Sequence, residues 1–593
     1  MTPRARRLVA ALVAVPLAVA LGALAASRQR ATRIPTIVVD GVRRGESCLL
    51  CHADFQGLGL EHDPATLGCS TCHLGDPTAP DADGAHRGLE VLSGDLASVW
   101  RTCGQGGCHN EETARVSVGM MAGAPGILAV DRFAFGERSD PTPRPEEDDL
   151  RRLEPAAAAR SLAEDHARKL CGSCHLASRK PARGDLGFAS RGGGCAACHL
   201  APPRAGSGRA GGRMHPSLSA DVPDTRCEGC HARSGRIALS YRGVAEVEAS
   251  DPRRDGTLPD GRPTADVASD VHSRAGMGCV DCHTERDLMG DGRTHAFAAD
   301  AVGVTCEDCH APSTRTASPE AEMVASRLRA SWRRRGMPEI PASARPLVTK
   351  ARAPLWRTDR ESGSLWLAAS GAERAIPLEV TAAPYHAMPG HARLSCQSCH
   401  SAWAPRCTEC HTTYEPRGSD VDHLAGVLRA GHWREVAGGN GFGPPVLALD
   451  GNGKISPFIE GMRLHVDGVT PAVERTLWAP LDPHTTGRSR ACADCHPAGD
   501  LGAVYPAQGE VTRPRARVLD AGERARVAAV GRCVPCHGRW EDPIYRDFQA
   551  SAASAVRAGT TCDLLAQRGP TVRGPNPPEP SLAPTTVPRQ EPE

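Results

Sequence analysis

Residues 396–415 read CQSCHSAWAPRCTECHTTYE. Two copies of the spacing C-x-x-C-H stand back to back here, Cys396/Cys399/His400 and Cys407/Cys410/His411, with seven positions from His400 to Cys407. Outward from this stretch the same pattern returns nine times: Cys48/Cys51/His52, Cys69/Cys72/His73, Cys171/Cys174/His175, Cys195/Cys198/His199, Cys227/Cys230/His231, Cys279/Cys282/His283, Cys306/Cys309/His310, Cys492/Cys495/His496 and Cys533/Cys536/His537. A twelfth pair, Cys103/Cys108/His109, holds four residues between its cysteines. Three of those four are Gly104, Gly106 and Gly107, whose backbone freedom lets the two sulfurs approach each other. Of 25 cysteines only Cys562 is left over.

This spacing is the attachment pattern of c-type haem. Two thiols add across the porphyrin vinyl groups, and the adjoining imidazole reaches the iron. Zinc knuckles also pair C-x-x-C, and an exported protein can carry a disulfide framework. Neither chemistry has a reason to demand His after all twelve pairs.

On these motifs the chain resembles the multihaem c-type cytochromes, specifically the large dodecahaem carriers of bacteria that respire metals and oxyanions. The resemblance covers residues 48–537 and is specific for haem attachment, not for one subfamily. It implies twelve covalent haem c groups on the 24 paired cysteines. The implied fold class is multihaem cytochrome c: mostly short helices and loops wrapped around a haem chain, with little β beyond small hairpins in haem-free inserts. Composition agrees with a core supplied by porphyrin, since aromatic residues make up only 4% of the chain and about 47 residues beyond Ala26 serve each motif.

Twelve histidines lie outside the motifs: His62, His86, His166, His215, His272, His295, His386, His391, His423, His432, His465 and His484. Their number equals the count of motifs, but background composition alone supplies about as many in a chain this long. Position says more. His62, His166, His272, His391 and His484 each precede the first Cys of a motif by five to eight residues. A histidine so close to an attachment site is badly placed to reach the far face of the same porphyrin, so it is expected to ligate the iron of a neighbouring one. Bis-histidine ligation closes both axial positions and, lacking a thioether ligand, gives low potential. With ten methionines in the chain, a minority of His/Met sites stays open.

The formal charge of +1 excludes the basic footprint of a nucleic-acid binder. Residues 1–26, with Arg4, Arg6 and Arg7 before an apolar run from Leu8 to Ala26, read as a signal peptide or an N-terminal anchor; residues 8–26 would be the membrane tether. The motifs divide the rest into a trihaem segment (27–138), a linker (139–160), a second trihaem segment (161–270), a dihaem segment (271–312), a haem-free insert (313–380), a dihaem segment (381–440), a haem-free spacer (441–480), a dihaem segment (481–545) and a disordered tail (546–593). In the insert a helix is expected over 319–335, and a hairpin from 355–357 and 364–367. The spacer sequence DGNGKIS (450–456) falls short of a calcium loop, because Ile455 replaces the sixth-position glycine and Glu460 arrives one residue early.

These features, with the resemblance, imply an exported electron carrier in the periplasm or at the cell surface. Its partners would be a quinol-oxidising membrane complex and outer-membrane or extracellular cytochromes, in anaerobic respiration. The alternative is a multihaem reductase of a small oxyanion with one open iron, where Tyr385 and Tyr414 are the candidate flanking groups.

Overall fold

The computed structural model describes residues 34–39, 41–153, 159–180, 183–203, 212–233, 235–312, 314–335, 337–368, 375–378, 386, 388, 390–539 and 541–557. The signal or anchor, Tyr385 and Cys562 lie outside them. Among the described residues no helix is long and apolar enough to cross a membrane. The chain divides into two units: residues 1–386, 393–490 and 502–520, and residues 387–392, 491–501 and 521–593.

The expected class of short helices and loops with little β does not hold: the protein is mixed α/β. Six strands form one sheet in the first unit: β1 (Ala404–Asp422), β2 (Val427–Gly443), β3 (Val446–Leu449), β4 (Ile455–Asp467), β5 (Val473–Pro480) and β6 (Glu510–Val511). Their order is β2-β1-β4-β5-β6, with β3 on β4; β1/β4 and β5/β6 run parallel, and the rest antiparallel. The stretch 441–480, read as a spacer, therefore contributes three strands and part of a fourth. The physical reason is visible in its sequence. VLAL (446–449) is a continuous apolar run fit for a strand buried on both faces, and Leu464/Val466 alternate with polar neighbours.

The sheet has its own apolar cores. Trp433, Leu464, Val466 and Leu477 bury one cluster with Phe133 and Ala134, and Val446, Ala448, Phe458 and Trp478 bury another. DGNGKIS is the turn between β3 and β4: the Asp450 amide donates to the Lys454 carbonyl, and Gly453 takes the left-handed conformation the turn needs at φ 76°.

Since these clusters need no porphyrin, the chain produced without haem attachment should keep a β-type far-UV circular dichroism signal. A spectrum of wholly unordered chain would contradict this.

Residues 139–153 are packed, with Asp148, Asp149 and Leu150 buried. Arg132 and Arg138 both donate to the fully buried Asp148, at 2.6 and 2.7 Å. In the insert, the helix runs Pro319–Arg334, capped by the Ser318 hydroxyl, which accepts from the Ala321 amide. The strand pair there is Thr358–Asp359 with Ser364–Trp366. Beyond Tyr545 the chain forms a further helix, Phe548–Arg557, where a disordered tail was expected to begin.

Candidate metal centres

Most C-x-x-C-H motifs form a single helical turn, which brings residues three apart to one side. Helices span Leu49–His52, Cys69–His73, Cys195–His199, Thr225–His231, Cys279–Cys282, Cys306–His310, Cys396–His400 and Cys492–Cys495. Cys171–Cys174 continues a helix in tighter form, and at Cys533 the His537 amide donates to the Cys533 carbonyl. The same closure appears in the longer motif, where the His109 amide donates to the Cys103 carbonyl at 3.1 Å. Gly106 and Gly107 adopt left-handed φ there to absorb the two extra residues.

The second cysteines of the motifs are half-buried in most cases. Cys51, Cys108 and Cys536 are instead exposed, each for a local reason. The turn Leu49–His52 buries none of its residues, which leaves Cys51 at the surface. Cys108 follows two glycines whose Cβ positions meet nothing within 4 Å, so the longer motif bulges into open space. Before Cys536 it is Val534 that turns inward, at 6% exposure, and the chain then faces outward through Pro535 and Cys536. Cys399 is only half-buried, because the inward position of its turn belongs to Ser398, whose hydroxyl donates to the Ile455 carbonyl. Cys410 differs most. It lies in β1 with its backbone opposite Ala437 on β2 and Leu464 on β4, so the turn expected at Cys407/Cys410 is replaced by strand.

Three motifs carry Asp before their second cysteine, and it caps the turn from within. Asp281, Asp308 and Asp494 accept from the amides of Gly278, Thr305 and Ala491 at 2.8 to 2.9 Å. Two of these carboxylates also anchor the haem-free insert. Asp281 takes the Arg357 guanidinium and the Ala368 amide, and Asp308 takes the Lys350 amide and Arg315. Attention to Cys and His passed over these aspartates, although C-x-D-C was there to be read.

The histidines meet in pairs. Seven motif histidines face a non-motif histidine with ring centroids 5.9 to 6.3 Å apart: His52/His86, His109/His62, His73/His215, His310/His272, His283/His484, His400/His386 and His496/His391. With a metal–nitrogen bond of about 2.0 Å and about 1.1 Å from ring nitrogen to centroid, two imidazoles on opposite sides of one metal have centroids about 6.2 Å apart. The spacing fits an iron between each pair. His62, His272, His391 and His484 each face a motif other than the one they precede. His423 lies beside His175 at the eighth site, its Cβ near Gly172.

Second contacts turn the rings. Nδ1 of His73, His199, His215, His400, His484 and His496 lies 2.6 to 3.2 Å from a backbone carbonyl: Glu90, Ser219, Pro216, Gly487, Asp482 and Val527 respectively. A carbonyl only accepts, so Nδ1 carries the proton and Nε2 keeps its lone pair for a metal. Asp270, Asp287 and Asp542 play this part for His272, His283 and His537. Burial pushes the imidazoles of His62, His175, His215, His231, His423 and His496 below the ordinary histidine range. They are neutral at pH 7, the form that binds metal.

Other positions differ. His411 and His465, opposed in register on β1 and β4, both aim Nε2 at Asp467, at 2.8 and 3.2 Å. His166 stands against Phe135 and Trp433 with Nδ1 on Asp131; burial works against its charge, and Asp131 outweighs burial and raises its pKa. His295 bonds Asp291 through Nε2, and His432 bonds Asp420 through Nδ1. Among the described residues His199, His231 and His537 face no second imidazole within stacking range. Tyr414 packs on Trp433, with centroids 4.7 Å apart.

The motifs adjoin one another. Thiols of different motifs lie within hydrogen-bond reach in four places: Cys48/Cys69, Cys174/Cys230, Cys227/Cys279 and Cys306/Cys396. Glu46, two residues before Cys48, accepts from Ser70 inside the second motif at 2.8 Å, and Asp224, beside the sixth, accepts from the Cys279 amide at 2.8 Å. No family model, curated protein or solved structure matches this chain.

Proposed function

We propose that the protein is an exported multihaem c-type cytochrome that carries electrons between other redox proteins. The observation that carries this reading is the set of seven motif/non-motif histidine pairs at iron-bridging distance. Bound haem c supplies a one-electron iron couple. The remaining tasks fall to the chain. The paired cysteines would tether the group and the paired histidines would ligate its iron, which would leave no position on the metal for substrate or water. Carbonyls and carboxylates on Nδ1 hold each ring in one orientation, so little has to move when charge arrives. Adjacent motifs keep neighbouring sites close. The partners this reading calls for are a quinol-oxidising membrane complex on one side and outer-membrane or extracellular cytochromes on the other.

Haem stoichiometry tests the reading. Twelve motifs at about 0.6 kDa per porphyrin should add about 7 kDa to the intact mass, matched by a pyridine-haemochrome assay. Eleven would single out Cys103–His109 or Cys407–His411, and ten or fewer would overturn the reading. A ferric spectrum that is low-spin throughout is the expected result; a high-spin share in the unmutated protein would favour the oxyanion reductase.

A further inference from the structure

Three attachment motifs meet around one arginine. Arg191 donates through Nε to the Gly229 carbonyl at 2.7 Å and through Nη1 to the Ser173 hydroxyl at 2.9 Å. Gly229 lies between Cys227 and Cys230, and Ser173 lies between Cys171 and Cys174, so one planar guanidinium clamps the interiors of two motifs. Four residues on, the same backbone enters the third, at Cys195. Gly192, Gly193 and Gly194 between them all take left-handed φ, at 63°, 88° and 56°. The amides of Gly193 and Gly194 donate to Ser178 and Leu176, just past His175. Side chains would not fit: a Cβ on Gly192 would lie 2.2 Å from the Ser178 carbonyl, and one on Gly229 would lie 1.9 Å from the Ser190 carbonyl. The thiols converge as well, with Cys174 against Cys230 and Cys198 beside Cys227.

The junction carries Arg191 and Lys180, with Glu228 of the Cys227 motif paired to Arg242 at 2.6 Å and Asp185 near Lys180. No carboxylate pairs with Arg191 among the described residues, and the buried Lys180 ammonium donates to the Ser190 hydroxyl.

We infer that these three motifs form a branch point of the electron path, and that Arg191 is the positioning residue that clamps it and raises the potential of the adjoining irons. The inference rests on the haem reading above. A cation close to an iron favours the reduced state, since reduction removes one unit of positive charge, and the effect is strongest where solvent does not screen it. With haem bound at the three motifs, Arg191 would favour the reduced state there over the same sites without it.

The test is a spectroelectrochemical titration of the full-length holoprotein beside Arg191→Gln and Arg191→Lys, with covalent haem counted in each. Arg191→Gln should keep the full haem count and move part of the curve, the share of two or three haems, to lower potential. Arg191→Lys, which keeps the charge, should restore most of that shift. A superimposable curve for Arg191→Gln at full haem count would overturn the inference, as would an equal shift in Arg191→Lys. Should Arg191→Gln lose haem, Arg191→Lys decides alone: wild-type potentials support the inference, and a negative shift overturns it. Absence of covalent haem from the unmutated protein would overturn the haem reading and this inference together.

Discussion

Replacing His391 by alanine should leave every covalent haem in place and turn one iron high-spin. The His391 ring lies 6.0 Å from that of His496, whose Nδ1 is held by the Val527 carbonyl at 3.0 Å. The two thiols and the proximal imidazole of the Cys492–His496 site are untouched by the change, so attachment survives while the sixth position opens. The site to change is therefore the one His391 faces in space, not the Cys396/Cys399 site that follows it in sequence; His386 faces that one. Low-temperature electron paramagnetic resonance of the ferric protein should show a high-spin signal worth about one iron in twelve, and the potential of that iron should rise as it loses a strong donor. A spectrum still wholly low-spin, with an unaltered redox titration, would remove His391 from the ligand set.

The second large effect is on stability. Asp422, at the tip of the β1/β2 hairpin, is fully buried; it accepts from Arg168 at 3.2 Å and from the amides of Leu424 and Ala425, and forms an ion pair with Arg429 at 3.0 Å. Arg168 is itself 1% exposed and has one other carboxylate, Glu164, at 3.1 Å. Asp422→Asn removes the charge that compensates two guanidinium groups where water cannot replace it, a loss of about 3–5 kcal/mol. Chemical denaturation of the holoprotein should show the midpoint falling with the slope unchanged. Asp251→Asn, which breaks a pair with the half-exposed Arg253, should leave the midpoint where it is. Equal behaviour of the two variants would show that the hairpin tip does not hold the Arg168 segment.

The motifs were legible because their chemistry is local: two sulfurs and an imidazole within five residues, or seven at Cys103, need no knowledge of the rest of the chain. The pairing of histidines was partly legible, since His62, His272, His391 and His484 sit too near one motif to serve it. Which motif each does face, His109, His310, His496 or His283, depends on long-range packing that no spacing encodes. Nor does spacing encode exposure: Cys51, Cys108 and Cys536 read the same as the half-buried second cysteines and reach the surface because of what flanks them. The sheet was missed for a different reason. Counting cysteines turned every stretch without them into a spacer, and the apolar run of 446–449 and the alternation at Leu464 and Val466 were weighed only as gaps between motifs. Strand pairing also decided the setting of Cys407, Cys410 and His411. Their spacing equals that of Cys396, Cys399 and His400 just before them, yet β2 and β4 on either side draw them into an extended ladder.

The bond between Arg168 and Asp422 joins residues 254 positions apart. Its consequence is one of timing. At about 5–20 residues per second, some tens of seconds separate the two partners as the chain is made. Throughout that interval the segment 162–171 has no hairpin tip to dock against, and Lys169 lacks the Ala430 and Gly431 carbonyls that later hold it. Docking of this segment, which leads into the Cys171 motif, therefore waits on the hairpin tip, whereas the contact between the Cys48 and Cys69 motifs needs only residues 46–70.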